Sequence, residues 1–255
     1  MYFKEAICLT MNRFLVISYQ KQATNDIKFM CTLKDLKDKL SLFDENTADS
    51  TITTNFKEIA KILIESCAIK KGDFTYAFTD IEFYFYNKNH KDIITHPRKC
   101  EAMQWYVNDF GGIDLVFKSS IDTVTKIKSG KKVSKPELND NSYFGGILIR
   151  GLKNLDTNEN IEGPWTCAEL FRLHNACGDC DFPTLIIQKT GQNVPLPIAR
   201  YHLVKKNNEQ EIEKKVRFIL STYNNGNDEN LINDMVKSFI KFKDKEYRYL
   251  LKNNI

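Results

Sequence analysis

The residues best placed to do chemistry lie in one apolar run, Phe74-Thr-Tyr-Ala-Phe-Thr-Asp-Ile-Glu-Phe-Tyr-Phe-Tyr86. It is aromatic and β-branched and lacks Gly and Pro, which predicts a strand. A strand turns successive side chains to opposite faces, so Ile81, Phe83 and Phe85 share one face and Asp80, Glu82, Tyr84 and Tyr86 the other. The first is a core face. The second carries two acids and two phenols in a row, which is unusual for so apolar a strand. A carboxylate held among aromatic rings loses hydration, and such groups titrate nearer the range useful for proton transfer. Glu82 beside Tyr84 is therefore the candidate catalytic centre; the alternative is the solvated side of an edge strand.

Further polar groups follow or end strands: His90, with His96 close behind, and Arg150. A carboxylate, an imidazole and a guanidinium that converge can orient and deprotonate one water. His90 also fits an exposed Lys/Asn loop, and Arg150 fits a stem that covers core while its head reaches water. A separate constellation, Cys167, His174, Cys177 and Cys180, contains one Cys-x-x-Cys half-site and could ligate zinc. Buried or surface thiols are the competing reading, and no metal is assigned to the catalytic centre.

The elements that must position these groups are legible from periodicity. Leu33, Leu36, Leu40 and Phe43 recur at spacings of three, four and three, which predicts an amphipathic helix. The polar stretch 44–51 is a loop or boundary. A second helix follows, capped by Thr54 or Asn55 with Glu58 placed for a capping box, and Phe56, Ile59, Ala60, Leu63, Ile64 and Cys67 line its buried face. Lys70–Asp73 is a turn into the central strand. Ile113–Phe117, Phe144–Arg150, Leu185–Ile187 and Val216–Leu220 read as strands, and Gly163-Pro164 opens a helix. Residues 118–142, with Lys126, Lys128, Lys131, Lys132 and Lys135, read as a long exposed connection. Asp228–Leu251 reads as a long amphipathic helix with a basic side. The basic residues of both segments fit either phosphate contacts or a solvated face. Ahead of all this, Ala6–Leu9 and Phe14–Tyr19 could be short strands.

At 255 residues the chain can bury a large core in one domain. Aromatics at 12% argue against disorder, and charged residues at 27% are ordinary for a globular protein. No apolar run reaches the roughly 18 residues of a membrane span, and Lys4, Glu5, Asn12 and Arg13 interrupt the N-terminus, so the expected location is cytoplasmic. Seven scattered cysteines fit reduced thiols better than a disulfide framework. A formal net charge of +4 permits a polyanionic partner without demanding one.

The order of these residues resembles the methylpurine (3-methyladenine) DNA glycosylase family. The resemblance rests on Glu82-Phe-Tyr84 in a strand, a His in the following loop, Pro97-Arg98, Trp105-Tyr106 before Gly111-Gly112, Ile147-Leu-Ile-Arg150, Gly163-Pro164 with Leu170, and Arg217-Phe218. It spans roughly residues 55–222 as short matches. Departures are the Phe85-Tyr-Asn-Lys-Asn89 loop and the position of the family's wedge Tyr, taken here by Phe110 or a Gly. The resemblance implies that Glu82 activates water, that Arg150 and His90 hold it, and that Tyr84 stacks on a flipped-out base. It further implies that Tyr86, His96, Arg98, Trp105, Tyr106 and Phe110 contact the substrate. The partner would be duplex DNA with a damaged base, and no cofactor is required. The leading expectation is hydrolysis of the N-glycosidic bond of alkylated purines. The rivals are a re-purposed member of the fold that binds nucleic acid or a small ligand, and a zinc-stabilised interaction protein.

The expected architecture is α+β: a curved, mainly antiparallel sheet flanked by helices, with a formyltransferase C-terminal-domain-like fold implied by the resemblance. Residues 1–50 would form an N-terminal extension, 51–225 the core and 226–255 a C-terminal helix packed on it.

Overall fold

The computed structural model describes residues 32–108, 111–171, 183–201, 208–242 and 244–251. The strands expected at Ala6–Leu9 and Phe14–Tyr19 lie outside them. Helix α1 (Leu33–Leu40) starts in a capping box, in which Thr32 and Asp35 satisfy each other's backbone N–H groups. Leu36, Leu40 and Phe43 are fully buried. This helix therefore belongs to the core and not to an extension ending at residue 50.

Helix α2 (Asp49–Ser66) begins five residues before the expected cap. Ile52 lies on the same stripe as Phe56, Ile59 and Leu63, and its burial draws the helix back to Asp49. Thr53 and Thr54 sit inside the helix, their hydroxyls bonding the carbonyls four residues back. Glu58 pairs with Lys39 of α1 and caps nothing. Cys67 opens strand β1 (Cys67–Lys71) and does not continue the helix.

The central strand is β2 (Phe74–Asn87). After it come β3 (His90–Lys91), β4 (Trp105–Val107), β5 (Ile113–Val116), the ribbon strands β6 (Asp122–Lys128) and β7 (Lys131–Glu137), and β8 (Phe144–Asn154). Then follow β9 (Asn160–Glu162), α3 (Pro164–Glu169) with Pro164 at its first position, β10 (Thr184–Ile187), α4 (Glu209–Leu220), α5 (Glu229–Phe242) and β11 (Arg248–Leu250). The expected α+β class holds. A strongly curved antiparallel sheet runs in the order β10-β1-β2-β8-β5-β4. One edge of β2 pairs along its length with β8; the other is shared by β1, β11 and β3.

A β-bulge at Thr79–Asp80 interrupts the β2–β8 register. It reverses the side-chain parity of β2: Tyr76 and Phe78 face the core before it, and Ile81, Phe83 and Phe85 after it. The core face packs on α1 and α2, with Phe43 4.2 Å from Phe117 and Phe56 4.7 Å from Phe83 between ring centroids. A second core lies where Tyr86 and Phe144 meet the α4–α5 pair.

Two expectations about the C-terminal third are overturned. Val216–Leu220 is helical: Ile212, Val216 and Leu220 form a stripe spaced by four, and Arg217 pairs with Glu213 one turn back. The tail helix stops at Phe242, and Arg248–Leu250 adds a strand to β2. The connection 118–142 is not structureless, since β6 and β7 pair over seven residues. No helix among the described residues is long and apolar enough to cross a membrane.

Candidate functional site

The non-core face of β2 beyond the bulge carries Asp80, Glu82 and Tyr84. Register places Arg248, Glu82, Leu148, Asp114 and Tyr106 in one row across β11, β2, β8, β5 and β4. Each acid along this face finds a guanidinium. Arg248 binds both oxygens of Asp80, at 2.8 and 2.6 Å. Arg200 does the same to Asp92, at 2.6 and 3.1 Å, and also donates to the Phe83 carbonyl. Arg98 pairs with Asp114. Arg150 bridges two acids more loosely, its Nη1 3.5 Å from Glu82 and its Nε 3.6 Å from Asp80.

Glu82 has no exposed surface. Its Oε2 accepts the Tyr84 hydroxyl at 2.7 Å, and its Oε1 accepts the Tyr201 backbone N–H at 2.6 Å. Arg248 Nε stands 3.7 Å from Oε1. Burial, then the Glu82 charge, raises the Tyr84 phenol well above its ordinary pKa and keeps it a donor. Burial opposes the charge on Arg200, but Asp92 outweighs it and the guanidinium pKa is raised. Hydrogen bonding to Asp80 raises that of Arg248. The Tyr201 ring lies under two cations, 4.6 Å from the Arg150 guanidinium and 5.4 Å from that of Arg248.

Beside this network opens a cleft of about 370 Å³, lined in part by Asp80, Arg150, Asn160, Glu162 and Arg248. Glu82 is behind its wall and not among the lining residues. Among the described residues, Nε of Arg150 and Nε of Arg200 are each buried without a hydrogen-bond partner. Gly151 forms part of the floor, where a Cβ would stand 2.7 Å from Thr79 Oγ1 and 2.9 Å from Asp80 Cβ.

Of the expected catalytic trio, Glu82 and Arg150 meet and His90 does not. His90 is fully buried among core-face rings, 4.4 Å from Phe242 and 6.4 Å from Phe85, with Nδ1 2.6 Å from Asp49. It is a core histidine, and the Lys/Asn composition of its loop concealed that. Tyr84, expected to stack on a flipped-out base, donates its hydroxyl to Glu82 and has the Arg200 guanidinium 4.6 Å from its ring centroid. Tyr86 instead stacks on Phe144 at 5.0 Å beneath the helical pair. Trp105 packs on Phe171, towards the core. His96, Arg98 and Tyr106 form a group of their own: Arg98 donates to the His96 carbonyl and lies 4.6 Å from the Tyr106 ring. Phe110 is outside the described residues, as are His174, Cys177 and Cys180 of the zinc alternative. Cys167 is a buried thiol whose pKa burial pushes up to about 12, far from a metal-binding thiolate.

Asp80 stands on the face the sequence assigns it. Asp92, Arg200, Tyr201 and Arg248 were not foreseen. The signal for Arg248 was available: Tyr247 and Tyr249 alternate around it, and both are buried, as a strand and not a helix requires. Ala199-Arg-Tyr201 carries no pattern that marks it.

No protein-family model matches the chain. Over 114 residues it is 30% identical to a protein of Acanthamoeba polyphaga mimivirus named "Uncharacterized protein L759". That match covers 43% of this chain and 52% of the relative, so the chain spans about half the length of the protein it matches.

Proposed function

We propose that this chain binds a small polar ligand, of the size and edge chemistry of a nucleobase or nucleoside, in the cleft beside Arg150. The observation that carries the reading is the state of Arg150. Its guanidinium reaches the cleft wall with only two long contacts to acids, at 3.5 and 3.6 Å, while Arg248 holds Asp80 and Arg200 holds Asp92 through two bonds each. A planar group with two adjacent acceptors fits such a fork. Asp80 and Glu162 balance Arg150 and Arg248 along the wall, which favours a neutral heterocycle over a free anion. The volume lies within the range of small-molecule sites. Asn160 and Glu162 supply acceptors for ring N–H and amino groups.

The test is a thermal-shift and calorimetric panel of purine and pyrimidine bases and nucleosides, with citrate as the anionic control. At ligand one hundred times above Kd, binding to the folded state alone adds about 2.7 kcal/mol of stability. A base or nucleoside is expected to raise the melting midpoint of the wild type and not of Arg150→Gln. A shift with citrate alone, or one that survives Arg150→Gln, sinks the proposal.

The glycosylase reading is the second, and the adjacency of Glu82, Arg150 and Tyr84 favours it. Both oxygens of Glu82 are occupied, so a water could be activated only after Tyr201 withdraws its N–H. Release of base from alkylated duplex DNA, abolished by Glu82→Gln, would establish this reading. No release from the wild type leaves a binding protein.

A further inference from the structure

The ribbon β6–β7 projects a charge pattern that the fold does not use. Its turn is Ser129–Gly130, both at positive φ (52° and 75°), the tight two-residue hairpin whose twist matches its strands. From Lys126 to Lys135 there are five lysines and no acid. Alternation puts Val124, Lys126, Lys128, Lys131, Val133 and Lys135 on one face of the ribbon.

The root of the ribbon is pinned. Lys135 donates to the Ser221 carbonyl at the end of α4, and the Pro136 carbonyl accepts the Asn224 N–H. The outer half is different. Lys126, Lys128, Lys131 and Lys132 are exposed, and none makes an ion pair among the described residues. Lys128 stands directly opposite Lys131. Like charges so paired oppose the ribbon that holds them, unless an anion lies across both.

We infer that this ribbon is a docking surface for duplex DNA, with Lys126, Lys128 and Lys131 of one face and Lys132, which flanks them from the reverse face, on the phosphates. Lys126 and Lys128, two apart on one strand, are about 6.6 Å from each other and Lys131 lies about 5 Å across from Lys128, so three charges cluster on one face of the ribbon with Lys132 behind them. A two-stranded ribbon enters the major groove of B-form DNA, about 12 Å wide, whereas the deep groove of A-form RNA is too narrow. The ribbon ends in Ser129–Gly130 between two lysines, and no apolar tip leads into a bilayer. Ile127, 75% exposed on the reverse face beside Lys132, is left to contact sugar or base edges. The inference does not depend on the cleft and stands if the cleft binds nothing.

The test uses the full chain and a labelled 20-base-pair duplex followed by fluorescence anisotropy. Lys126, Lys128, Lys131 and Lys132 are replaced together by Gln. Duplex affinity is expected to fall at least about tenfold at low salt. The slope of log affinity against log salt, near −0.9 per neutralised phosphate, is expected to flatten by about three to four. Removal of the Lys128–Lys131 repulsion should leave the melting midpoint unchanged or raised, which separates lost binding from lost folding. Lys→Arg at the same four positions should retain binding. Equal duplex affinity of the wild type and the Gln variant overturns the proposal. So does absence of binding by the wild type, or preferential binding to duplex RNA or to phosphatidylserine vesicles.

Discussion

At the scale of single residues, the molecule shows what a sheet does with acids it places on a nearly closed face. Glu82 and Tyr84 were legible as neighbours because strand parity is a local rule. Arg150 was legible as a cation for Glu82, but Arg248 and the Tyr201 N–H were not, since they arrive from more than a hundred residues away. Among the described residues Asp92 and Arg200 form the most enclosed ion pair, neither side chain retaining exposed surface. The attraction of such a pair roughly offsets the desolvation of its members, but an unpaired survivor is heavily penalised. Arg200→Leu is therefore expected to cost about 3–5 kcal/mol, a large share of a typical 5–15 kcal/mol. The Arg200→Leu/Asp92→Leu double variant should be more stable than Arg200→Leu alone, because it leaves no buried charge. Urea unfolding measures both. Single-variant losses under about 1 kcal/mol would show that water reaches Asp92.

At the scale of elements, the bulge at Thr79–Asp80 decides where the cleft is. Without it, Asp80 would share the core face with Tyr76 and Phe78. No residue in Phe74–Tyr86 announces a bulge, so the parity read from the sequence holds from Asp80 onward and cannot be extended back to Tyr76 and Phe78. Elsewhere the sequence misled in proportion to how far the deciding contact lay. Val216–Leu220 is β-branched and aromatic enough for a strand, yet it is helical because its stripe meets α5. The glycines of β8 separate structural from site roles. A Cβ on Gly145 would stand 2.3 Å from the Tyr84 carbonyl oxygen and 2.9 Å from Phe85 Cα, and this backbone cannot retreat without breaking the ladder. Gly145→Ala should lose about 1–3 kcal/mol or more. Gly151→Ala presses on the Thr79 hydroxyl and Asp80 side chain instead, so it should lose less stability and more ligand affinity. Equal stability losses in urea, with an unchanged ligand-induced shift for Gly151→Ala, would show that the bulge floor does not shape the cleft.

At the scale of the whole molecule, His90 ties together elements that are far apart along the chain. Its ring is packed by Phe56 of α2, Phe242 of α5, Phe85 of β2 and Tyr247 ahead of β11, and its Nδ1 bonds Asp49 at the start of α2. Burial pulls its pKa below the ordinary 6.5, the Asp49 hydrogen bond and the Asp92 charge resist this, and Arg200 adds to it. A neutral ring donating from Nδ1 leaves Nε2 a bare acceptor, which agrees with its having no partner among the described residues. The unfolded chain takes up a proton near pH 6.5 while the folded one resists, so acid favours unfolding. The stability tied to a neutral His90 is complete above about pH 6.5 and is lost as pH falls below it, at up to about 1.4 kcal/mol per pH unit until the folded ring also protonates. Asp49 acts in a separate window. The bond from His90 holds its carboxyl below the ordinary 3.8, so its contribution is complete above about pH 4 and disappears only beneath that. His90→Phe keeps an aromatic in the cluster and removes the titration. Unfolding free energies from pH 8 to pH 5 should therefore decline in the wild type and run nearly flat in the variant. Parallel profiles would mean that the proton is taken up elsewhere and that the ring is not held neutral by the assembled core.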